Sequence, residues 1–309
     1  MPGLTRLEPL EDSPPAVLII GKDGQVGRAA ALALAPFGEA ALWGREDVAL
    51  ESLAALLDNL KPKIVVNAAA WTKVDLAETR EREARLVNAL LPARLGEWAA
   101  KSGALVIHYS TDYVFDGQKQ GPYLETDSPR PLSVYGKTKL EGDLALLGSG
   151  ARIIIFRTSW VYSIIGQNFP KTILALAQKR PELVINDDQT GAPTSADLIA
   201  QVTALAVYRH LSDPDEAPTG LYNLAASGRT TWKGYAAHLL HKAKSLGWPL
   251  DPIPRLIPRT GSDPDRPAAR PLNSSLDCSK LASDFGLFPP NWTWHVDRLL
   301  TDLAAITRG

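Results

Sequence analysis

The chain has 309 residues, 45% apolar and 22% charged, with a formal net charge of -1. That length allows one large domain or two modest ones around a sizeable core, and the charge balance lacks the basic excess that holds a nucleic-acid backbone. Cys278 is the sole cysteine, which excludes an intrachain disulfide and a multi-cysteine zinc site.

A reducing, cytoplasmic setting fits that cysteine usage, and no apolar run is long enough to span a bilayer. Residues 1–15 carry Glu8, Glu11, Asp12, Pro14 and Pro15 without an apolar signal core, and read as a loose lead-in. Residues 16–20 (Ala-Val-Leu-Ile-Ile) form a short continuous apolar run, as a buried parallel strand does. They lead into Gly21, Gly24 and Gly27, and residues 29–34 then supply good helix formers. A strand, a glycine loop and a helix bring backbone N–H groups and a helix start against a pyrophosphate. In that arrangement Gly21 permits the tight turn, Gly24 lets the backbone approach the phosphates, and Gly27 lets the helix pack on the strand. The spacing is G-x-x-G-x-x-G, one residue longer than the usual first interval.

Residues 40–43 suit a second strand. Arg45 then falls about twenty residues beyond the glycine loop, where such folds read the adenosine ribose. An acid there favours NAD, whereas an arginine can pair with the 2′-phosphate of NADP. Residues 50–60 read as a helix, 63–70 as a strand ending in Asn67-Ala68-Ala69-Ala70, 81–101 as a further helix and 105–109 as a strand. Strands alternating with helices predict an α/β fold with a Rossmann-type, doubly wound parallel sheet.

The polar end of that last strand reads His108-Tyr109-Ser110-Thr111-Asp112-Tyr113, at the sheet edge where open α/β folds bind ligands. After an irregular loop, Ser133 can cap a helix whose apolar face is Leu140, Leu144 and Leu147 and whose stop is Gly148. Tyr135 and Lys139 lie four apart on it, so they share one face. A neighbouring ammonium lowers a phenol's pKa, and Thr111 can hydrogen-bond the same carbonyl oxygen that such a tyrosine protonates. A Tyr-x-x-x-Lys pair alone is a weak signal; its weight comes from the company it keeps.

That company is Gly21-x-x-Gly24-Gln25-Val26-Gly27, Asn67-Ala68-Ala69-Ala70, Tyr109-Ser110-Thr111-Asp112-Tyr113-Val114-Phe115, Tyr135-Gly136-Lys137-Thr138-Lys139 and Arg157-Thr158-Ser159-Trp160-Val161-Tyr162. Together with Asp188-Gln189-Thr190-Gly191-Ala192-Pro193-Thr194 and Arg270-Pro271-Leu272-Asn273-Ser274, these motifs make the chain resemble the extended short-chain dehydrogenase/reductases. Among those, it is similar to the dTDP-4-dehydrorhamnose reductase family over nearly all of residues 16–305. The resemblance implies reduction of the 4-keto group of dTDP-4-dehydro-L-rhamnose, with Thr111, Tyr135 and Lys139 as the catalytic trio and Tyr135 as proton donor. It implies cofactor contacts from Gly21, Gly24, Gln25, Val26, Gly27, Arg45, Ala69, Ala70, Trp71, Thr72, Tyr135 and Lys139. It further implies substrate contacts from Thr111, Asp112, Tyr113 and Trp160, and Arg270 can meet the diphosphate or make an ordinary surface ion pair.

The end of the second strand lacks the acid seen in members that accept NADH, so NADPH is expected, with NADH as the alternative. Some members bind Mg²⁺ at a dimer contact. The first position of that set is Ala29, which cannot ligate, and Asp197 and Asp302 match the other two with shorter arms, so the bridging Mg²⁺ is not carried over and only a homodimer stays open. Two other readings share the scaffold: an NADP-binding regulatory subunit like that of methionine adenosyltransferase, and another sugar-nucleotide reductase or epimerase.

The expected division is a nucleotide-binding domain over residues 1–163 and a smaller substrate lobe over 164–309, with residues 196–226 returning to the first. Helices are expected at 171–179, 196–209 and 231–241, and a short strand at 183–185. Six prolines leave 251–271 largely irregular. Trp292 and Trp294 read as packing residues, and the five histidines show no metal-ligand spacing.

Overall fold

The computed structural model describes residues 16–261 and 266–308, so the lead-in read at 1–15 lies outside the described residues. The first half begins with β1 (Val17–Ile20), α1 (Gln25–Leu34), β2 (Ala41–Trp43), α2 (Leu53–Leu60) and β3 (Ile64–Asn67). β1 and β3 are buried at every position, which is why they read as unbroken apolar runs. α2 starts later than its leucines suggest, because the preceding residues form a turn in which Ser52 N donates to the Ala49 carbonyl.

After α3 (Val74–Ala77), the single helix expected over 81–101 is α4 (Glu81–Arg85), a π turn (Leu86–Leu90) and α5 (Leu91–Ser102). Pro92 explains the break. It has no N–H to offer the Asn88 carbonyl, and the ladder loosens so that Leu91 N donates to Leu86 O. The Asn88 carbonyl instead presses on Gly142, where a Cβ would sit 2.1 Å from it.

Next come β4 (Leu105–Thr111), α6 (Val134–Leu147) and β5 (Arg152–Thr158). Ser133 caps α6, accepting from Gly136 N. Of the apolar face expected for α6, Leu140 packs against Val114, Phe115 and Tyr123, but Leu144 and Leu147 are exposed, while Thr138, Lys139 and Asp143 point inward. Gly136 and Gly142 are buried on that inner side. A Cβ at Gly136 would lie 2.3 Å from the Tyr113 carbonyl, so α6 approaches its neighbours by lacking side chains there.

The second half holds β6 (Val161–Tyr162), α7 (Phe169–Ala177), β7 (Glu182–Asn186), β8 (Thr190–Gly191), β9 (Thr194–Ser195), α8 (Ala196–Ser212), β10 (Gly220–Asn223), β11 (Thr230–Thr231), α9 (Trp232–Ser245), β12 (Arg255–Arg259), α10 (Ser279–Phe285) and α11 (Trp292–Arg308). Asn168, Ser195 and Thr231 cap α7, α8 and α9 through their side chains. The irregular reading of 251–271 is corrected by β12, which runs parallel to β7 despite Pro258. Arg255 N donates to the Pro181 carbonyl, so alternate N–H groups from Arg255 face β7 and the Pro258 position faces outward, where a missing donor costs no ladder bond. Trp292 is buried, but Trp294 is 54% exposed, since two steps along a helix lead to the opposite side.

Six parallel strands form the main sheet, in the order β10-β5-β4-β3-β1-β2. One core joins α1, α8, α9 and α11 to one face of this sheet; a second lies between the other face and α2, α5 and the end of α6. From β1 the chain moves first to one side and then to the other, so the carboxyl ends of β1 and β3 flank the switch point where ligands bind in such sheets. Gly27 locks α1 there: a Cβ would sit 2.0 Å from the Gly21 carbonyl oxygen. Gly27→Ala should lower folding stability by about 1–3 kcal/mol. Chemical denaturation checks this, and an unchanged midpoint would show that the close approach is not a constraint.

Candidate functional site

The glycine loop has the shape that a pyrophosphate needs. Gly21 adopts φ +93°, and a Cβ on it would lie 2.6 Å from Ala69 N, so the loop packs against the end of β3. Gly24 is exposed, and as the N-cap of α1 it places no side chain over the first N–H groups. With no acid in that first turn, the positive helix end stands open to an anion, which fits a dinucleotide. Val26 packs against the core. The Gln25 side chain is otherwise engaged: its Oε1 accepts from Ser163 Oγ at 3.2 Å and Asn168 Nδ2 at 3.0 Å, tying the loop to the second half.

Arg45 is exposed just beyond β2. Its neighbours Glu46 and Asp47 close on Lys22 of the glycine loop, at 2.8 and 3.0 Å. The sequence reading found the arginine and missed these three, because nothing in local spacing says that the loop after β2 folds back. At the end of β3, Ala69 N donates to Asn67 Oδ1 at 3.3 Å, while Ala70 and Thr72 are exposed. Asn88 grips the Trp71 backbone on both sides, accepting from its N–H at 2.9 Å and donating to its carbonyl at 3.2 Å. Asn88 is thus a buried clamp on the loop beside the glycines.

Thr111 ends β4 and caps the short turn that follows. Its Oγ1 accepts from Tyr113 N at 3.2 Å and donates to Asp112 Oδ1 at 3.1 Å. It also hydrogen-bonds the phenol of Tyr135, which sits in the first turn of α6. The Tyr113 ring meets Tyr135 edge-on with centroids 5.5 Å apart. Lys139 is 1% exposed, and its Nζ donates to the Tyr109 carbonyl at 2.6 Å and lies 3.1 Å from His108 Nε2. Burial pulls this ammonium down to about 8, against the opposing pull of Asp143.

One electrostatic expectation is corrected. Lys139 was expected to lower the Tyr135 pKa, but its ammonium is directed at β4. Burial outweighs hydrogen bonding with Thr111, and Asp112 and Asp143 add to it, so the phenol is pushed up to about 12. Tyr135 therefore holds its proton at neutral pH, the state that a proton donor requires. Behind the pair, the buried Asp143 accepts from Ser110 Oγ at 2.7 Å and from Arg157 Nε at 3.4 Å. Asp143 went unnoticed in the sequence, although its spacing of four from Lys139 puts it on the same helical face.

Asp112 is buried, and burial raises its carboxyl to about 6 against hydrogen bonds from Ser274 and Thr111. That contact brings the 270–274 motif to the end of β4. Arg270 is neither a lone surface ion pair nor an unattached side chain. Its side chain is 13% exposed, donates to Asp75 Oδ2 at 2.6 Å and to the Ala268 carbonyl at 2.9 Å, and hydrogen-bonds Tyr113. Trp160 takes φ +48°, unusual for a bulky residue, and stacks on Trp232 at 3.7 Å between centroids. A Cβ at Gly191 would lie 2.7 Å from the Trp160 ring, which accounts for that glycine.

Of the three positions compared with a metal-bridged contact, Ala29 lies on α1, Asp197 in the first turn of α8, and Asp302 lies 3.8 Å from Arg298. Among the described residues, no group of three or more His, Cys, Asp or Glu is placed to hold a metal ion.

The whole arrangement has relatives. Residues 15–305 match the family model described as the RmlD substrate binding domain. A dTDP-4-dehydrorhamnose reductase of Escherichia coli K12 is 44% identical over 94% of this chain and 99% of its own, and one of Burkholderia thailandensis is 38% identical over 93% and 98%. A dTDP-4-dehydrorhamnose reductase structure from Clostridium acetobutylicum superposes with a TM-score of 0.83 at 31% identity, covering 95% of this chain and 99% of that one. The enzyme of that name from Bacillus anthracis, solved in complex with NADP, superposes at 0.82 with 25% identity over 93% and 98%. The matches run over nearly the full length of these relatives, and the chain belongs to the dTDP-4-dehydrorhamnose reductase family.

Proposed function

We propose that this protein reduces the 4-keto group of dTDP-4-dehydro-L-rhamnose to give dTDP-L-rhamnose, with NADPH as the reductant, and that Thr111, Tyr135 and Lys139 carry the chemistry. One observation supports this most: a single sheet edge holds an open glycine loop after β1, Thr111 at the end of β4, and Tyr135 and Lys139 on the helix beside it. The NADP in the Bacillus anthracis relative supports the cofactor. When bound, the reduced nicotinamide supplies hydride to C4.

Tyr135 donates its proton to the C4 oxygen as negative charge grows there. Thr111 donates a hydrogen bond to the same oxygen and so fixes it against the phenol. Lys139, charged below about pH 8, places a cation under the site. Asp112 and Tyr113 face the sugar, Trp160 lies on the substrate side of the glycine loop, and Arg270 provides a cation for the diphosphate. The chain divides into a nucleotide-binding part up to residue 163 and a substrate lobe from 164, with residues 196–226 belonging to the first. No helix among the described residues is long and apolar enough to cross a membrane, and a cytoplasmic enzyme, working as a homodimer, fits the single cysteine.

At the adenosine end, Arg45 faces a 2′-phosphate while Glu46 and Asp47 offer carboxylates to a free 2′-hydroxyl. NADPH is therefore preferred and NADH still usable. Arg45→Ala should raise the KM for NADPH about tenfold, the loss of one charge-assisted contact, and leave that for NADH nearly unchanged. Equal effects on both cofactors would remove Arg45 from the 2′-phosphate.

Tyr135→Phe should lower kcat by about 10²–10⁴-fold with cofactor affinity retained, as read by cofactor oxidation with freshly made keto sugar nucleotide. A Phe variant as fast as the unchanged protein would end the assignment. The pH profile separates the two groups. Burial disfavours the ammonium, so kcat/KM should fall as pH rises through about 8, while the phenol, at about 12, stays protonated across that range. A profile flat well above pH 8 would mean that the charge on Lys139 does not matter.

A further inference from the structure

His108 has no part in the reaction as derived so far, yet it is fully buried beside the one lysine that has. It lies on β4, with Nδ1 3.0 Å from Asn67 Nδ2 and Nε2 3.1 Å from Lys139 Nζ. The orientation of the Asn67 amide indicates which imidazole nitrogen bears the proton. Ala69 N donates to Asn67 Oδ1, so the amide oxygen points to the loop and its NH₂ points to the imidazole. Nδ1 must then accept, and a neutral imidazole carries its proton on Nε2. That N–H faces Lys139 Nζ. An ammonium has no lone pair to receive it; an amine has one, and keeps an N–H for the Tyr109 carbonyl at 2.6 Å.

We propose that His108 is a positioning residue for Lys139: fixed by Asn67 as the Nε2–H tautomer, it donates to the lysine amine and so couples the charge of Lys139 to its place. The bonds run one way, from Ala69 N–H to Asn67, from Asn67 to His108, from His108 to Lys139, and from Lys139 to the carbonyl of Tyr109. The neutral amine completes this chain. The ammonium breaks it, because two donors then meet at 3.1 Å. The other titratable and charged groups around the pair are Tyr135 and Asp143 from α6, Arg157 from β5 and Asp112 from the turn after β4. Asp143 favours the ammonium, and Arg157, 3.4 Å from Asp143, offsets it. Burial and the nearby lysine hold the imidazole well below its usual range, as a permanently neutral donor requires.

The catalytic part of this inference rests on Lys139 acting as assigned above, but its first test does not. Nitrogen-15 spectra of histidine-labelled protein should show His108 protonated on Nε2 and not titrating through neutral pH. A proton on Nδ1, with Nε2 as the acceptor, would overturn the proposal whatever the enzyme's activity. The second test follows the side-chain carbon signal of Lys139, assigned by its loss in Lys139→Met. In His108→Gln the amide carbonyl can accept from an ammonium, so the lysine titration should move up by about one pH unit. Asn67→Asp, which accepts from Nδ1–H and forces the other tautomer, should move it the same way. A role confined to packing would leave that titration where it is. If the lysine titration moves and the alkaline limb of kcat/KM does not follow, the coupling stands and the assignment of Lys139 to the reaction falls.

Discussion

Lys139 is held beneath the carboxyl end of β4 by its bond to the Tyr109 carbonyl, and much of the surrounding structure exists to let a lysine be buried there. A charge removed from water costs several kcal/mol unless it is paired and hydrogen-bonded. The fall from 10.5 to about 8 corresponds to roughly 3 kcal/mol of disfavour for the charged form. So the network does not compensate the burial fully, and its contribution is to function more than to folding. Asp143, with Arg157 and Ser110 bound to it, favours the charge from one side, and His108 with Asn67 favours the neutral amine from the other. This arrangement requires α6 to lie close against its neighbours. Gly136 and Gly142 give it that closeness, and the π turn produced by Pro92 places the carbonyl of Asn88 where Gly142 can receive it.

The two halves of the chain meet at this edge through polar ties. Gln25, at the first turn of α1, accepts from Ser163 and Asn168, and Arg270 reaches Asp75 from the far end of the sequence. Each tie joins an element of the first half to a segment distant in sequence, and each is half-buried, so it is screened less than a surface pair. The junction of the two halves is therefore set by a few specific hydrogen bonds laid over a continuous apolar core that extends from the sheet to α9 and α11.

The strands of the main sheet were legible because burial on both faces leaves an unbroken apolar run, and the glycine loop because its constraint is on the backbone, which sequence records directly as Gly21 and Gly27. The parallel sheet follows from those two readings. The inner face of α6 was not legible. A hydrophobic-face argument selects Leu144 and Leu147, while the side chains buried are those that need partners on β4 and β5. β12 was hidden by Pro258, because proline density speaks against a strand and only the direction of the pairing shows that this position faces outward. The partnerships of Arg270 with Asp75 and of Lys22 with Glu46 and Asp47 join residues whose separation in sequence carries no signal. Asn67 and His108 were visible as residues, but their meaning depends on a neighbouring strand in register: they sit opposite one another as the β3–β4 partners.

Trp160 shows how such a register is used against local preference. A left-handed backbone on a non-glycine residue costs on the order of 1–3 kcal/mol. Its stack on Trp232 contributes only about 0.5–1.5 kcal/mol beyond burial, so stacking alone does not hold the conformation. The pairing of the next residues, Val161 and Tyr162, with Thr194 and Ser195 fixes the chain on one side of the indole. The absence of a side chain at Gly191 clears the space on the other. Three separate constraints thus converge on one indole, and packing alone does not call for them, since a residue in an ordinary conformation would bury as much apolar area. What the strained backbone achieves is direction: it sets the aromatic plane at a fixed angle where β5 leaves the sheet. A side chain held that rigidly has little conformational entropy left to lose in any contact it makes.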